Sequence, residues 1–343
     1  MIVVREPRHR ESLRHLARLT DDRGILEHAS GPHPRFHHGY CTDDNARLLV
    51  VTSRDRDGSP EAPELARIAA RFLLDAQRFD GCMHNRLSFE RIWQDVPSTD
   101  DCWGRALWGY GTAVECSTDD ELRNRCYEGF GIGCLARSES IRSMSFAALG
   151  AARILGVDDS HDGARLLLES VAAMFDFHPD GRDPAWPWPE DRLTYSNALI
   201  PEAMVECGAI LGRDDLLDRG LSLLTWLVKG ETLGDRLSVT PVGGRGPGDV
   251  GPAFDQQPIE VAALVDAAVT AKRVTADASW DAVVDLGASW FLGNNDAGRA
   301  MIDVDSGGGY DGLERDGVNV NQGAESTLAM LSTMQHARSA WLV

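Results

Sequence analysis

The sequence predicts an all-α protein in which six helical hairpins close into an (α/α)6 barrel, with short β-hairpins in the loops at one mouth. Helical periodicity recurs along all 343 residues, and the helical segments alternate between a charged amphipathic kind and a kind rich in Ala, Gly and Leu. The connections also alternate between long and short. Together these observations predict two concentric rings of helices.

The charged segments each carry one polar stripe, as expected of helices with one face in solvent. The segments 62–79 ("APELARIAARFLLDAQRF") and 161–177 are the clearest examples. The others cover roughly 8–19, 120–135, 214–228 and 279–292. We expect these six helices to form the outer ring.

The second kind of segment gathers its polar residues at the start and continues with small apolar ones. "TDDNARLLVVTS" and "STDDCWGRALWGYGTAV" are two of six, which begin near residues 42, 98, 142, 195, 256 and 321. Self-similarity at such a spacing indicates an internal repeat. Small residues allow close packing on several sides, so we expect these helices to form the inner ring.

The long connections run from each outer helix to its inner partner, at 20–41, 80–97, 178–194, 229–255 and 293–320. Pieces such as "RLSVTP" and "AMIDVD" predict short strands or hairpins there. This asymmetry places the long loops and the inner helix starts at one mouth, where functional sites tend to lie. An open α-solenoid would need a regular period and shorter loops. No segment resembles a linker, so residues 1–343 are expected to form one domain.

Composition narrows the classes of partner. The formal net charge is −19, which argues against nucleic acid or an anionic membrane as the main partner. The chain shows no signal-peptide pattern and no apolar run of membrane-spanning length. The seven cysteines are scattered and are expected to be reduced thiols. We therefore expect a cytoplasmic monomer or homodimer.

Polar and aromatic residues at the inner helix starts predict a carbohydrate site. Amides and carboxylates bind sugar hydroxyls, while aromatic faces stack on pyranose rings. The predicted substrate-binding residues are Asp43, Asp100, His38, Tyr40, Trp103, Trp186, Trp188, Tyr195, Asn197, Gln256, Gln257, Asn321 and Gln322. "AWPWPED" (185–191) is predicted to be an exposed aromatic wall, and the alternative is a loop packed down over the barrel.

Four carboxylates are candidate catalytic groups: Asp44, Asp101, Glu260 and Glu325. Cleavage of a glycosidic bond needs two carboxyl groups, one of them protonated. The helix dipole favours an ionised carboxylate at a helix start, so Asp44 and Asp101 suit a base or nucleophile. Glu260 and Glu325 suit the role of the acid if they are buried, because burial raises the pKa of a carboxyl group. One Asp of either pair also suits it, because repulsion by the neighbouring carboxylate raises its pKa. We expect Asp43 to cap its helix and Asp44 to face Asp101.

The segments "TDDNARLL", "STDDCWGRALWGYG", "YSNALIPEAM", "DQQPIEVAAL" and "NVNQGAEST" head the predicted inner helices. In this pattern the chain resembles the six-hairpin glycosidase superfamily, which includes glucoamylases, unsaturated glucuronyl hydrolases and bacterial endo-mannanases. The resemblance is architectural and covers nearly the whole chain. The adjacent aspartates are similar to the catalytic pair of the α-1,6-mannanase branch, although the surrounding residues depart from that branch's motif. The resemblance implies a glycoside hydrolase, and it also implies sugar epimerases and polysaccharide lyases as relatives.

Three alternatives stay open. A sugar epimerase or isomerase would favour histidines facing each other in the funnel, whereas His336 lies at the far end of its helix and the other histidines considered are in loops. A terpene-cyclase-like or lanthionine-cyclase-like toroid could use zinc on Cys41 and Cys102, but the sequence lacks DDxxD and CxxC spacing. A non-catalytic glycan-binding protein accompanying a glycosyltransferase shares the same aromatic and amide arguments. We expect no metal and no cofactor.

Overall fold

The computed structural model describes residues 13–56, 58–176 and 185–341. Its described part is mainly helical, with four small two-stranded sheets. The helices are α1 Arg14–Leu19, α2 Thr42–Ser53, α3 Ala62–Ala76, α4 Asp101–Cys116, α5 Asp120–Gly133, α6 Ile141–Val157, α7 Asp162–Phe175, α8 Leu199–Leu211, α9 Asp214–Gly230, α10 Pro258–Thr275, α11 Asp281–Phe291 and α12 Ala324–Trp341.

The even-numbered helices form a closed inner ring. Each packs on the next in the order α2, α4, α6, α8, α10 and α12, and α12 returns to pack on α2. The odd-numbered helices pack outside this ring, each against the inner helix of its own hairpin or its neighbour. The prediction of an (α/α)6 barrel is therefore confirmed.

Small residues let the inner helices approach each other closely, most clearly between α4 and α6. A Cβ atom added at Gly104 would lie 2.1 Å from the carbonyl oxygen of Ser143. One added at Gly150 would lie 2.2 Å from the carbonyl oxygen of Leu107. The backbones touch where these glycines stand, and a larger residue would force the helices apart.

The outer helices match their predicted positions with small differences at the ends. Helix α1 covers Arg14–Leu19, and residues 8–12 of the predicted segment 8–19 lie outside the described residues. Helix α7 ends at Phe175, and His178 also lies outside them. No helix in the described ranges is both long and apolar enough to cross a membrane.

The long loops carry the strands, which are β1 Ala29–Ser30, β2 His33–Pro34, β3 Tyr40–Cys41, β4 Arg86–Leu87, β5 Thr232–Leu233, β6 Arg236–Leu237, β7 Gly312–Glu314 and β8 Gly317–Asn319. The antiparallel pairs are β1–β2, β3–β4, β5–β6 and β7–β8. Since β3 pairs with β4, the first two long loops are joined to each other. The segment 300–305 forms no strand; Ile302 makes a single bridge with Gly309.

Candidate functional site

A polar cavity of about 390 Å³ opens among the starts of α2, α10 and α12 and the loops that precede them. Side chains from α4 and β4 complete its wall. Its lining residues are Glu27, His28, Cys41, Asp43, Asp44, Arg47, Arg86, Arg105, Gln257, Asp311, Asn319, Gly323, Glu325 and Ser326. Carboxylates and guanidinium groups dominate this set, so the cavity suits a ligand rich in hydroxyl groups.

Arg47 joins two of the predicted catalytic carboxylates. One terminal nitrogen donates to Asp44 Oδ1 at 2.7 Å, and the other lies 2.7 Å from Glu325 Oε2. Asp44 and Arg47 are one turn apart on α2, whereas Glu325 comes from the first turn of α12. The side chain of Asp44 is buried, while that of Glu325 is 42% exposed. The guanidinium therefore holds a buried and an accessible carboxylate in one cavity.

Arg105 joins a second pair of carboxylates. It donates to Asp43 Oδ1 at 2.8 Å and lies 3.4 Å from Asp101 Oδ2. Asp43, rather than Asp44, is thus the aspartate linked to Asp101, because α2 turns the side chains of its two aspartates toward different arginines. Asp43 also does not cap α2: the N-cap residue is Cys41, whose sulfur accepts from the amide of Asp44.

The two aspartates of α2 differ in their electrostatics. Burial raises the pKa of Asp44 to about 7; Arg47 opposes this shift, and Glu325 and Glu27 add to it. Burial alone would also raise the pKa of Asp43, but Arg105 and Arg47 outweigh it and hold that pKa below its usual value. Asp44 therefore suits a proton donor near neutral pH, in contrast to the expectation from the helix dipole, because desolvation outweighs that dipole here.

The loop before α2 supplies one side of the cavity. Arg86 of β4 pairs with Glu27 in the loop before β1, and Glu27 also lies 3.7 Å from the ring of His28. Atoms of Glu27, Cys41 and Asp44 converge within 4.8 Å and could in principle hold a metal ion. However, Arg86 and Arg47 already pair with both carboxylates, so a cation there would face two guanidinium groups.

Glu260 lies outside the cavity lining, at the start of α10. Its carboxylate accepts hydrogen bonds from the backbone amides of Ser196 and Asn197 and from the side chain of Asn197. Burial raises its pKa to about 8, and Glu231 adds to the shift. This buried carboxylate therefore anchors the turn before α8.

Tyr195 lies beside this anchored turn and reaches toward the cavity wall. Its hydroxyl donates to Asp101 Oδ2 at 3.0 Å, and Asp101 also accepts from the hydroxyl of Ser143 at 3.0 Å. The guanidinium of Arg142 lies 4.7 Å from the Tyr195 ring centroid. Asp101 and Tyr195 therefore form a second polar cluster, connected to the cavity through Arg105.

The structure brings four predicted residues into the cavity lining: Asp43, Asp44, Gln257 and Glu325. Five others are buried in the scaffold instead, namely Tyr40, Trp103, Asn197, Gln256 and Gln322. Their polar atoms bind other parts of the fold; for example, Gln256 donates to Asp296, and Gln322 donates to Asp303. Tyr40 and Trp103 donate to Asp21 and to the carbonyl of Gly133.

Three further predicted residues lie at the mouth but outside the lining. Asp100 is exposed at the N-cap position of α4 and accepts from the Ser98 hydroxyl. His38 is exposed and packs against the ring of His28, which does line the cavity. Asn321 accepts from the backbone amide of Gly31. These residues stay predictions as substrate contacts.

The aromatic segment 185–191 does not form an exposed wall. Trp188 is fully buried and stacks on Trp226 of α9, with ring centroids 6.2 Å apart. Trp186 contacts the same ring edge-to-face at 5.3 Å. The loop is packed down over the barrel, because the indole ring of Trp226 on the outer helix α9 gives both tryptophans an apolar partner.

Sequence reasoning missed the two arginines that pair with the carboxylates at the cavity. Arg47 follows Asp43 and Asp44 by four and three residues, and Arg105 follows Asp101 by four. Residues at these spacings are neighbours on a helix surface. The repeated order of two aspartates followed by an arginine was therefore the signal that could have located the pairs Asp44–Arg47 and Asp101–Arg105.

Comparison with known proteins supports the architecture. No family model matches the sequence, and no curated protein matches it. Among solved structures, a sugar epimerase from a ruminal bacterium aligns with a TM-score of 0.69 at 15% identity, over 95% of each chain. Cellobiose 2-epimerase from Bacillus thermoamylovorans aligns with a TM-score of 0.69 at 12% identity, over 97% of this chain and 96% of that one. The GH76 α-mannanase from Bacteroides thetaiotaomicron aligns with a TM-score of 0.57 at 8% identity, over 88% and 87%.

These neighbours are carbohydrate-processing enzymes with the (α/α)6 toroid. The fold class and the architectural resemblance to the six-hairpin superfamily are therefore confirmed. The neighbours include epimerases and an α-mannanase, and at this sequence identity their likeness to the chain shows the fold alone.

Proposed function

We propose that the protein is a glycoside hydrolase that cleaves a glycosidic bond in the polar cavity. The observation that carries this proposal is the placement of Asp44 and Glu325 on the two ends of the Arg47 guanidinium. One carboxyl group is buried with a raised pKa, and the other is accessible to a ligand. Glycoside cleavage needs one carboxyl group that is protonated and a second that is ionised.

In this proposal Asp44 donates a proton to the oxygen of the leaving group. Glu325 then acts as the carboxylate that activates water or attacks the anomeric carbon. Arg47 keeps both side chains in place, while Arg105 keeps Asp43 ionised as an acceptor for sugar hydroxyls. Asp101 and Tyr195 are proposed to orient the substrate from the adjacent cluster.

The test is an activity screen on α- and β-linked oligosaccharides, with NMR of the anomeric product. We expect release of a reducing sugar by the wild-type protein, and a loss of at least 100-fold in Asp44→Asn and Glu325→Gln. Asp120→Asn is the matched control, since Asp120 begins the outer helix α5, is exposed and does not line the cavity. Wild-type cleavage that persists in both cavity variants would contradict the roles given to Asp44 and Glu325.

A sugar epimerase or isomerase is the second candidate, and His28 is the observation that favours it. Its imidazole lines the cavity together with Asp311 and Glu325, so a base and carboxylates could exchange a proton on a sugar carbon. Deuterium incorporation from D2O into an uncleaved sugar would support this reaction, and His28→Gln should abolish it. Saccharide binding with neither cleavage nor exchange would instead support the glycan-binding alternative.

A further inference from the structure

Two exposed aromatic residues belong to the same loops as the cavity-lining residues His28 and Arg86 and have none of the roles given above. Phe36 begins the short 3-10 turn Phe36–His38 before β3, and Phe89 lies shortly after β4. Their ring centroids are 5.1 Å apart, and the residues are 51% and 41% exposed. Apolar rings that contact each other and also face water are typical of a binding surface.

The backbone beneath these rings is well fixed. Strands β3 and β4 pair Tyr40 with Leu87, and the buried Tyr40 ring lies nearly parallel to that of Phe89, with centroids 6.5 Å apart. Gly39 joins the turn to β3 with a φ of +68°, and a Cβ there would lie 2.2 Å from the carbonyl oxygen of Leu87. Phe36 and Phe89 are therefore presented on a rigid support, which reduces the entropy lost when a ligand binds.

The aromatic surface continues into the cavity. The His28 ring lines the cavity, and its centroid lies 4.6 Å from that of His38. His38 in turn lies 4.2 Å from His37, and both belong to the same turn as Phe36. On the other side, Arg86 lines the cavity three residues before Phe89. A ligand that leaves the cavity past His28 thus meets imidazole rings and then the two phenylalanines.

We propose that Phe36 and Phe89 form an outer subsite that binds a further sugar unit of an oligosaccharide whose reacting unit occupies the cavity. The proposal rests on the proposed function and adds that the substrate has more than one sugar unit. The apolar C–H face of a pyranose stacks on the exposed phenyl face, while His37 and His38 offer nitrogen atoms to its hydroxyls. Phe36 and Phe89 carry no carboxyl group, unlike the residues that line the cavity. The outer subsite therefore binds the sugar unit and does not cleave it.

Binding measurements on a catalytically silent background test this subsite. Titration calorimetry would use Asp44→Asn protein with α-1,6-linked manno-oligosaccharides and with cello-oligosaccharides of one to four units. We expect affinity to rise with length in one series, and the double change Phe36→Ala and Phe89→Ala to weaken the longest member about tenfold. Binding of the single sugar should not change. Phe79→Ala is the control, because Phe79 is 87% exposed and does not line the cavity.

Two results would overturn the subsite while leaving the proposed function in place: a length dependence that the double variant retains, or a change in oligomeric state without a change in affinity. If Asp44→Asn and wild-type protein bind no member of either series and the screen finds no cleavage, the proposed function fails together with the subsite. The thermal midpoint of the double variant verifies that it is folded.

Discussion

Asp44 and Glu325 form ion pairs with the two terminal nitrogens of one guanidinium, that of Arg47, although 281 positions separate the two carboxylates in the sequence. Asp44 belongs to the first inner helix and Glu325 to the last, so Arg47 acts where the ring closes between α2 and α12. The same ion-pair cluster therefore serves the closure of the barrel and the geometry of the cavity. It follows that changes to Arg47 should affect stability and activity together.

Replacing Arg47 by Met should destabilise the protein by about 3 kcal/mol, because a buried carboxylate at Asp44 loses its charged partner. The loss should be larger at pH 8 than at pH 5, since Asp44 can be protonated at the lower pH. Urea unfolding at the two pH values measures both effects. Arg67→Met is the control: Arg67 pairs with Asp119 at the surface, where such a pair contributes less than about 1 kcal/mol. An equal cost for both changes would contradict the special role of Arg47.

The pH dependence of cleavage should report on Asp44. A proton donor works in its protonated form, which predominates below its pKa, and burial raises the pKa of Asp44 to about 7. We therefore expect kcat/KM to fall as the pH rises through about 7. Tyr195→Phe should retain this alkaline limb, because it removes only the hydroxyl that contacts Asp101. A wild-type profile that stays flat between pH 6 and 9 would exclude Asp44 as the donor.

Glu260 should make stability depend on pH. Its folded-state pKa is about 8, whereas its usual value is 4.5, so the folded protein binds an extra proton between these values. The free energy of unfolding should therefore fall as the pH rises, by about 1.4 kcal/mol per pH unit from this residue. Glu260→Gln should flatten the slope measured by urea unfolding from pH 5 to 8.5. Glu64→Gln, on the exposed face of α3, should keep the wild-type slope.

The barrel was predictable from sequence because its signals are local. Small residues at regular spacing mark the inner helices, and charged stripes mark the outer ones. The side chains at the mouth were less predictable, because polar residues at helix starts can face either the cavity or another loop. Gln256 binds Asp296, 40 positions away, whereas the adjacent Gln257 lines the cavity. The two glutamines have the same chemistry, so only the path of the distant loop distinguishes their roles.

The packing of Trp186 and Trp188 was also not predictable from the sequence. The prolines around Trp186 and Trp188 predicted a stiff aromatic segment, but its partner, Trp226, belongs to the outer helix that follows. Burial of an aromatic ring depends on such long-range contacts, and helical periodicity carries no information about them. Arg47 and Arg105 combine both cases. Their spacing from Asp44 and Asp101 is local and could have predicted those two pairs, whereas their contacts with Glu325 and Asp43 are long-range.

The close contact of α4 and α6 gives a prediction that is independent of function. In Gly150→Ala the new Cβ would lie 2.2 Å from the carbonyl oxygen of Leu107, so the two inner helices must separate and lose packing. We expect a destabilisation of about 3 kcal/mol in urea unfolding. Gly131→Ala is the matched control on α5: no atom lies within 4 Å of its added Cβ, and alanine should stabilise this helix by about 0.5 kcal/mol. The two changes have the same chemistry and differ only in what surrounds the new methyl group. Changes of opposite sign in the free energy of unfolding would locate the tight contact in the inner ring. Changes of the same sign would show that α4 and α6 can move apart at little cost.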